Sequence, residues 1–208
     1  MRLQCLAAIF ATLLFVPALQ AQKVSGGLDP DRKASTVYVM TDTSEALAGV
    51  SISYSQPTWQ DSYTGMLDSL RGTYSRLGKQ WWTTFDTVGA LEIGGVKVAP
   101  GSYYLGLAVA KDGSFSLLVF DSKQAMKAGL LPYSSALYRG EVKAEIQAPL
   151  TFAKDSLKEV VAKMEIEITA DKKDPAMGKF SIRWGKHELS APVTFHLAVA
   201  KDVAAPKK

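Results

Sequence analysis

The stretch "LGLAVAKDGSFSLLVF", residues 105–120, places two apolar runs on either side of a loop at Lys111-Asp112-Gly113. A two-residue turn at Asp112-Gly113 would set Val109 opposite Ser116. A three-residue loop with Gly113 in the left-handed conformation sets large apolar residues opposite one another instead. We predict the second register, because burial of one face specifies how strands pair. Its pairs are Val109–Phe115, Leu107–Leu117 and Leu105–Val119.

The same two-residue period recurs along most of the chain. Apolar residues occupy alternate positions with polar residues between them, which is typical of antiparallel strands with one solvated face. A Gly94-Gly95 hairpin fits this pattern, because it pairs Ile93 with Val96. We therefore predict an all-β fold, an antiparallel β-sandwich with one or two short helical excursions. The alternating segments are VSISYS (50–55), KMEIEIT (163–169), FSIRW (180–184) and VTFHL (193–197).

Two segments have the apolar spacing of helices. "DSYTGMLDSLRGTYSRLG", residues 61–78, ends at Gly78, which is a plausible helix stop. "DSKQAMKAGL", residues 121–130, offers Asp121 as an N-terminal cap and Gly129 as an end. We predict that both segments are helical.

The beginning of the chain resembles an export signal. Arg2 precedes an apolar run, and Ala21 supplies the small residue at the expected cleavage site. We expect a signal peptide over 1–21, a flexible lead-in over 22–34, the β-sandwich domain over 35–199 and a loose tail over 200–208. Cleavage would remove Cys5, the single cysteine, and would leave no transmembrane segment. The expected location is therefore the periplasm or the outside of the cell.

The sequence has no nucleophile-elbow, phosphate-loop or dinucleotide-binding glycine pattern. Its two histidines, His187 and His196, lack recognisable metal-ligand spacing, and we predict ordinary surface or edge positions for both. Glu165 and Glu167 share a strand face, as a glycosidase pair could, but they alternate with Lys163 and are interpreted as solvated charges. We therefore predict no catalytic residue, no metal site and no cofactor.

The charge of the chain does not indicate a nucleic-acid partner. The formal net charge is +4, and the basic residues are spread out apart from the terminal "PKK". Nucleic-acid binding proteins concentrate lysine and arginine on one surface or along one helix. We therefore expect no nucleic acid among the partners.

"GKQWWTTFD", residues 78–86, puts Trp81 and Trp82 side by side in a predicted strand. Neighbouring residues on a strand point to opposite faces of the sheet. One indole can therefore enter the core, while the other must be covered by another element or be exposed to solvent. The alternation alone does not say which is which.

Four motifs resemble a bacterial secreted family known as domain of unknown function 2911. They are "VSISYSQPTW", "GKQWWTT", "LEIGGVKVAPGSYYLGLAV" and "FSIRWGKHELSAPVTF", and the similarity covers roughly residues 35–197. The resemblance implies an exported all-β domain and brings no known reaction with it. Trp81 falls on the family's tryptophan, whereas Trp82 stands where the family usually has arginine. The asparagine that follows in the family is absent here.

We therefore predict that Trp81 is a core residue, in phase with Thr83 and Phe85. Two readings remain for Trp82. In the first, residues 62–77 fold over it. In the second, it is an open aromatic platform, joined by Trp59 and Tyr63, that binds a ligand or partner.

Export, an all-β frame and surplus aromatic residues favour a non-catalytic binding or structural module of the cell envelope. Its candidate partners are a glycan or an envelope protein. The alternatives are a hydrolase that acts on envelope glycans, or a subunit that docks on another protein through an aromatic patch.

Overall fold

A computed structural model describes residues 26–66 and 68–198 of the chain. Two short 3₁₀ helices lie between the second and third strands, at Asp61–Met66 and Asp68–Leu70. The α-helices are α1 (Ser122–Lys127) and α2 (Ser135–Tyr138). The strands are β1 (Arg32–Met40), β2 (Ala46–Ser55), β3 (Thr73–Arg76), β4 (Thr83–Thr87), β5 (Leu91–Ile93), β6 (Val96–Val98), β7 (Gly101–Val109), β8 (Phe115–Asp121), β9 (Ile146–Ala153), β10 (Val161–Ala170), β11 (Met177–Gly185) and β12 (His187–Phe195).

The strands form one antiparallel, nearly closed, barrel-like sheet in the order β1-β2-β4-β7-β8-β9-β12-β11-β10. β3 pairs with β7 beside β4, and the β5–β6 hairpin joins β12. The first and last strands of this order, β1 and β10, lie against each other, and the Ile168 N–H donates to Ser35 Oγ at 3.4 Å. The all-β prediction with few short helices is confirmed.

The β7–β8 hairpin has the predicted register. Val109 lies opposite Phe115, and Leu107 lies opposite Leu117. Gly113 has a φ of 92°, in the region that disfavours side chains. The β5–β6 hairpin also pairs Ile93 with Val96, as expected.

Alternation along the strands builds one main core inside the sheet. Residues in phase on each strand are buried, while their neighbours on the outer face are mostly half-buried or exposed. The buried set draws on both halves of the sheet, so the two halves face each other across shared apolar contacts. Its members include Val50, Ile52, Phe85, Leu105, Leu117, Ile166, Ile168, Phe180 and Val193.

The helix prediction for residues 61–78 is wrong in its second half. The segment makes only the two 3₁₀ turns, passes through Gly72 at a φ of 75° and continues as β3. β3 pairs with β7, so a long-range ladder satisfies backbone groups that a helix would have satisfied locally. The prediction for residues 121–130 holds: Asp121 accepts a hydrogen bond from the Gln124 N–H at 2.8 Å and caps α1.

The ordered domain begins earlier than expected, because β1 starts at Arg32, inside the predicted lead-in 22–34. Asp31 just before it forms ion pairs with Lys163 at 2.6 Å and Lys79 at 2.5 Å. Hydrogen bonds from these lysines, Lys163 first, lower the pKa of Asp31 from 3.8 to about 2. The predicted signal peptide 1–21 and tail 200–208 lie outside the described residues. No helix within 26–66 and 68–198 has the length and apolar character needed to cross a membrane.

The prediction for Trp81 is wrong. Trp81 is 56% exposed, whereas Trp82 is 1% exposed. Thr83 and Phe85 are buried as predicted, but β4 begins only at Thr83. Gln80 has a φ of 58°, so the chain is still turning there and the strand alternation does not extend back to Trp81.

Trp82 belongs to a second apolar cluster outside the main core. Its ring stacks on Tyr104 at 5.0 Å between centroids and lies 6.1 Å from Phe120. The segment that carries α1 and α2 contributes Ala125, Leu130 and Leu137 to the same cluster. The cluster that buries Trp82 therefore includes Ala125, Leu130 and Leu137, and from the predicted segment 62–77 the half-buried Tyr74 packs against this cluster.

Candidate functional site

A cavity of about 400 Å³ lies inside the sheet. Residues from 57–66 and Leu70, the part of the chain with the two 3₁₀ helices, contribute one side of it, and inward residues of β7–β12 contribute much of the rest. β3 pairs only with β7 among the described strands, and Ser75 and Arg76 of β3 also line the cavity. The cavity thus lies beside β3, where the pairing between strands is incomplete.

Aromatic rings form one wall of this cavity. The ring of Trp59 packs edge-to-face against the rings of Tyr63 and Trp184, with centroid separations of 5.8 Å and 5.2 Å. Tyr63 and Trp184 also lie 5.2 Å apart. His187 completes the group, with its ring 5.5 Å from that of Trp59. Edge-to-face packing of this kind is favourable, so the rings hold one another in place.

Hydrogen bonds to backbone carbonyls hold the aromatic wall in place. The Trp59 N–H donates to the Ala162 carbonyl at 2.7 Å, which ties the segment after β2 to β10. The Trp184 Nε1–H donates to the Pro57 carbonyl at 3.0 Å. Gly185 has a φ of 63°, and a Cβ there would lie 2.7 Å from the Trp59 ring. The absence of a side chain at Gly185 therefore lets the indole lie against the backbone.

His187 is buried, at 8% exposure, so its predicted surface position is wrong. The β11–β12 hairpin pairs it with Trp184 and so turns both rings into the interior. Its Nδ1 accepts the Asp155 backbone N–H at 3.2 Å, so the ring hydrogen of the neutral form lies on Nε2. His196 is exposed, as predicted, with its Nε2 3.3 Å from Glu92 Oε1.

Arg76 is the one residue with a permanent charge among the described residues that line the cavity. Its Nη1 donates to the Gly78 carbonyl at 2.9 Å. The guanidinium carbon lies 4.5 Å from the centre of the Tyr133 ring, which is a cation–π distance. Arg76 is in phase on β3 with Tyr74, which packs against the second cluster, so these contacts hold the guanidinium on that outer face of the sheet.

The structure brings together two of the three residues predicted for ligand or partner binding. Trp59 and Tyr63 share the cavity wall, whereas Trp82 lies in the second cluster and is too deeply buried to be an open platform. Trp184 and His187 were not predicted for the site. The alternation of FSIRW does place Trp184 on the inner face. It does not predict that Trp184 contacts the distant segment that contains Trp59.

The acidic residues considered for catalysis lie elsewhere. Glu165 and Glu167 both pair with Arg183, at 3.2 Å and 2.8 Å. No aspartate or glutamate lines the cavity in the described parts of the chain. Over those same parts, no group of three or more histidine, cysteine, aspartate or glutamate residues is placed to hold a metal ion.

Comparison with protein-family models, with curated proteins and with solved structures finds no match for this chain. The resemblance to domain of unknown function 2911 therefore stays an interpretation of the sequence motifs.

Proposed function

We propose that this protein is a non-catalytic binding module, exported to the cell envelope, that holds a small and largely apolar molecule inside its sheet. The observation that carries this proposal is the cavity of about 400 Å³ with its wall of aromatic rings. Protein interiors are close-packed, and voids larger than a water molecule are few. A space of this size with mainly apolar walls has the character of a small-molecule site.

The volume of the cavity limits the size of the ligand. About 400 Å³ lies toward the lower end of the range of about 300–1,000 Å³ that small-molecule sites occupy. A space of this volume suits a small molecule or one sugar-sized ring rather than a whole polysaccharide chain. We therefore place a small molecule ahead of the glycan and protein partners considered from the sequence.

Binding is favoured over hydrolysis because the cavity lacks a set of groups for acid–base chemistry. Glycoside hydrolysis generally uses two carboxyl groups that flank the scissile bond. The described lining offers His187, Tyr63 and Ser75 but no carboxylate. The Asp155 carboxylate lies 3.6 Å from His187 Nδ1, behind the ring, and that nitrogen already accepts the Asp155 backbone N–H. Docking of another protein on Trp82 is disfavoured as well, because that indole is 1% exposed.

The proposal can be tested with phenylnaphthylamine, a neutral apolar dye that becomes fluorescent in dry sites. We expect saturable binding to the native protein and a rise in its melting temperature, since a ligand that binds only the folded state stabilises it. Trp59→Ala should weaken dye binding about tenfold or more by removing part of the wall. Trp81→Ala is the matched control, because it deletes an exposed indole outside the cavity.

The far-UV circular dichroism of each variant establishes that it is folded. Absence of saturable binding to the native protein would refute the proposal. Equal affinities for the native protein and a folded Trp59→Ala variant would also refute it, because the dye would then be bound elsewhere.

A further inference from the structure

We propose that the ligand of this cavity is an uncharged apolar molecule that carries one carbonyl group, and that the Nε2–H of His187 donates a hydrogen bond to its oxygen. This inference rests on the proposed binding function and adds the chemical class of the ligand. It follows from the position of His187 on the inner face of β12 and from the surroundings of its two ring nitrogens.

His187 faces the inside of the sheet. On β12 it is in phase with Leu189 and Ala191, which are both buried in the main core. Its ring lies 5.5 Å from that of Trp59 and 5.8 Å from that of Phe152, and both of these rings line the cavity. The imidazole therefore forms part of the cavity surface.

The two nitrogens of this ring have different surroundings. Nδ1 accepts the Asp155 backbone N–H at 3.2 Å, and the carboxylate of the same residue lies 3.6 Å away. A ring nitrogen that accepts a hydrogen bond carries no hydrogen of its own, so the hydrogen of the neutral ring is on Nε2. The two nitrogens of an imidazole point in well-separated directions, and Nε2 is therefore turned away from Asp155.

The Nε2–H of His187 has no acceptor among the described residues. In the same parts of the chain, the side-chain nitrogens and oxygens that are sealed from any open space without a partner are Ser55 Oγ, Arg76 Nε and Arg183 Nε. His187 Nε2 is not one of them, although the side chain is only 9% exposed. It therefore borders open space, and the open space beside this ring is the cavity. Buried donors are hydrogen-bonded in nearly all folded proteins, so this donor calls for an acceptor from a ligand or a water molecule.

The rest of the lining indicates that the ligand is uncharged. The described lining contains no carboxylate and no lysine, and the guanidinium of Arg76 is held on the outer face of the sheet. An anionic ligand would bring its charge into an apolar space without a fixed countercharge, which is unfavourable. A pure hydrocarbon would cover the Nε2–H of His187 without accepting from it, which is unfavourable as well. An uncharged molecule with one acceptor avoids both penalties.

A carbonyl oxygen suits this donor because it accepts without bringing a hydrogen of its own. A hydroxyl group would bring a donor that needs a second partner. Aromatic rings lie on both sides of His187, with Trp59 on one side and the Phe115–Phe152 pair, 4.9 Å between ring centroids, on the other. Aromatic rings pack well against flat rings. Flat aromatic compounds with one carbonyl group are therefore suitable probes.

The test compares two naphthalenes of nearly the same shape as competitors of phenylnaphthylamine. Acetylnaphthalene carries a carbonyl oxygen, and isopropenylnaphthalene has a methylene group in its place. The two compounds differ in their affinity for water, so the informative quantity is the ratio of their affinities in each protein. His187→Phe keeps an aromatic ring and removes the donor, and it should shift this ratio about tenfold against the ketone. His196→Phe makes the same substitution at an exposed histidine and is the matched control, which should keep the ratio within about twofold.

The ring nitrogen can also be observed directly by NMR. The chain has two histidines, so the spectrum of His196→Phe assigns the imidazole signals of His187. Saturation with acetylnaphthalene should move the Nε2 nitrogen resonance further than saturation with isopropenylnaphthalene does. The two compounds share their rings, so ring-current effects cancel in this comparison. The measurement leaves His187 intact and decides the question even if His187→Phe does not fold.

The outcomes separate the two proposals. Failure of phenylnaphthylamine to bind the native protein refutes the binding function. Saturable binding of the dye, together with an unchanged ratio in a folded His187→Phe variant or with equal Nε2 shifts for the two compounds, refutes only the carbonyl ligand. Stronger displacement of the dye by naphthoate than by acetylnaphthalene also refutes it, because the preferred ligand would then be an anion.

Discussion

Replacement of the two adjacent tryptophans by alanine, one at a time, should have very unequal effects on stability. Trp82 is 1% exposed and stacks on Tyr104, whereas Trp81 is 56% exposed. An aromatic side chain buries about 150–250 Å², which at ~25 cal/mol per Å² corresponds to about 4–6 kcal/mol. Truncation of buried tryptophan or phenylalanine costs about 3–5 kcal/mol in practice. We expect about that loss for Trp82→Ala.

Trp81→Ala should change the free energy of unfolding by no more than about 1 kcal/mol, because exposed substitutions away from special features have small effects. The measurement is urea unfolding followed by far-UV circular dichroism, since fluorescence would change with each deleted indole. Equal m-values would show that both variants unfold as the native protein does. Total stabilities of about 5–15 kcal/mol leave room to measure a loss of this size.

The reasoning would be refuted if Trp81→Ala cost as much as Trp82→Ala or more. A two-step transition with a reduced m-value in Trp82→Ala would carry a different meaning. It would show that the segment with α1 and α2 detaches from the sheet separately, and that the second cluster does not share the cooperativity of the main core.

Two further predictions concern a charge and a turn. The pKa of Asp31 in the folded protein is about 2, below its ordinary value of 3.8. Its ion pairs with Lys163 and Lys79 therefore stabilise the folded state fully above pH 3.8, and this contribution is lost as the pH falls through about 2. Asp31→Asn should therefore lower stability at pH 6 and make little difference near pH 2, as urea titrations at each pH would show; an equal deficit at both would contradict this. Gly113→Val should cost about 1–2 kcal/mol, because Gly113 has a φ of 92° that a β-branched residue adopts only with strain; an unchanged melting temperature would contradict it.

Sequence reasoning succeeded where neighbours along the chain carry the information. The β7–β8 register followed from a loop of three residues and from the apolar residues beside it, and the observed pairs are those predicted. The cap at Asp121 is likewise local, because its partner is Gln124. In such cases few alternative conformations compete, and the side-chain pattern distinguishes them.

Sequence reasoning failed where a distant contact or a strand boundary decided the outcome. The pattern of residues 61–78 suits a helix, but pairing with β7 turns its second half into β3, and no local signal reports that pairing. The phase argument for Trp81 and Trp82 assumed a strand that already included both, while β4 begins one residue after Trp82.

The candidate site was predicted in part for the same reason. Trp59 and Tyr63 are close in the chain and were considered together, but Trp184 and His187 lie more than a hundred positions away. The hairpin that carries those two rings reaches Trp59 only when the sheet curls round.

The contact between β1 and β10 has a consequence for association between molecules. Each of these strands pairs with one neighbour in the sheet, and such unpaired edges commonly recruit strands from other chains. Here the two edges lie against each other, and the Asp31–Lys163 ion pair at 2.6 Å joins the chain just before β1 to β10. A foreign strand could add to β1 or β10 only after this seam had separated. Aggregation through these two strands should therefore depend on partial unfolding rather than on the concentration of the native protein.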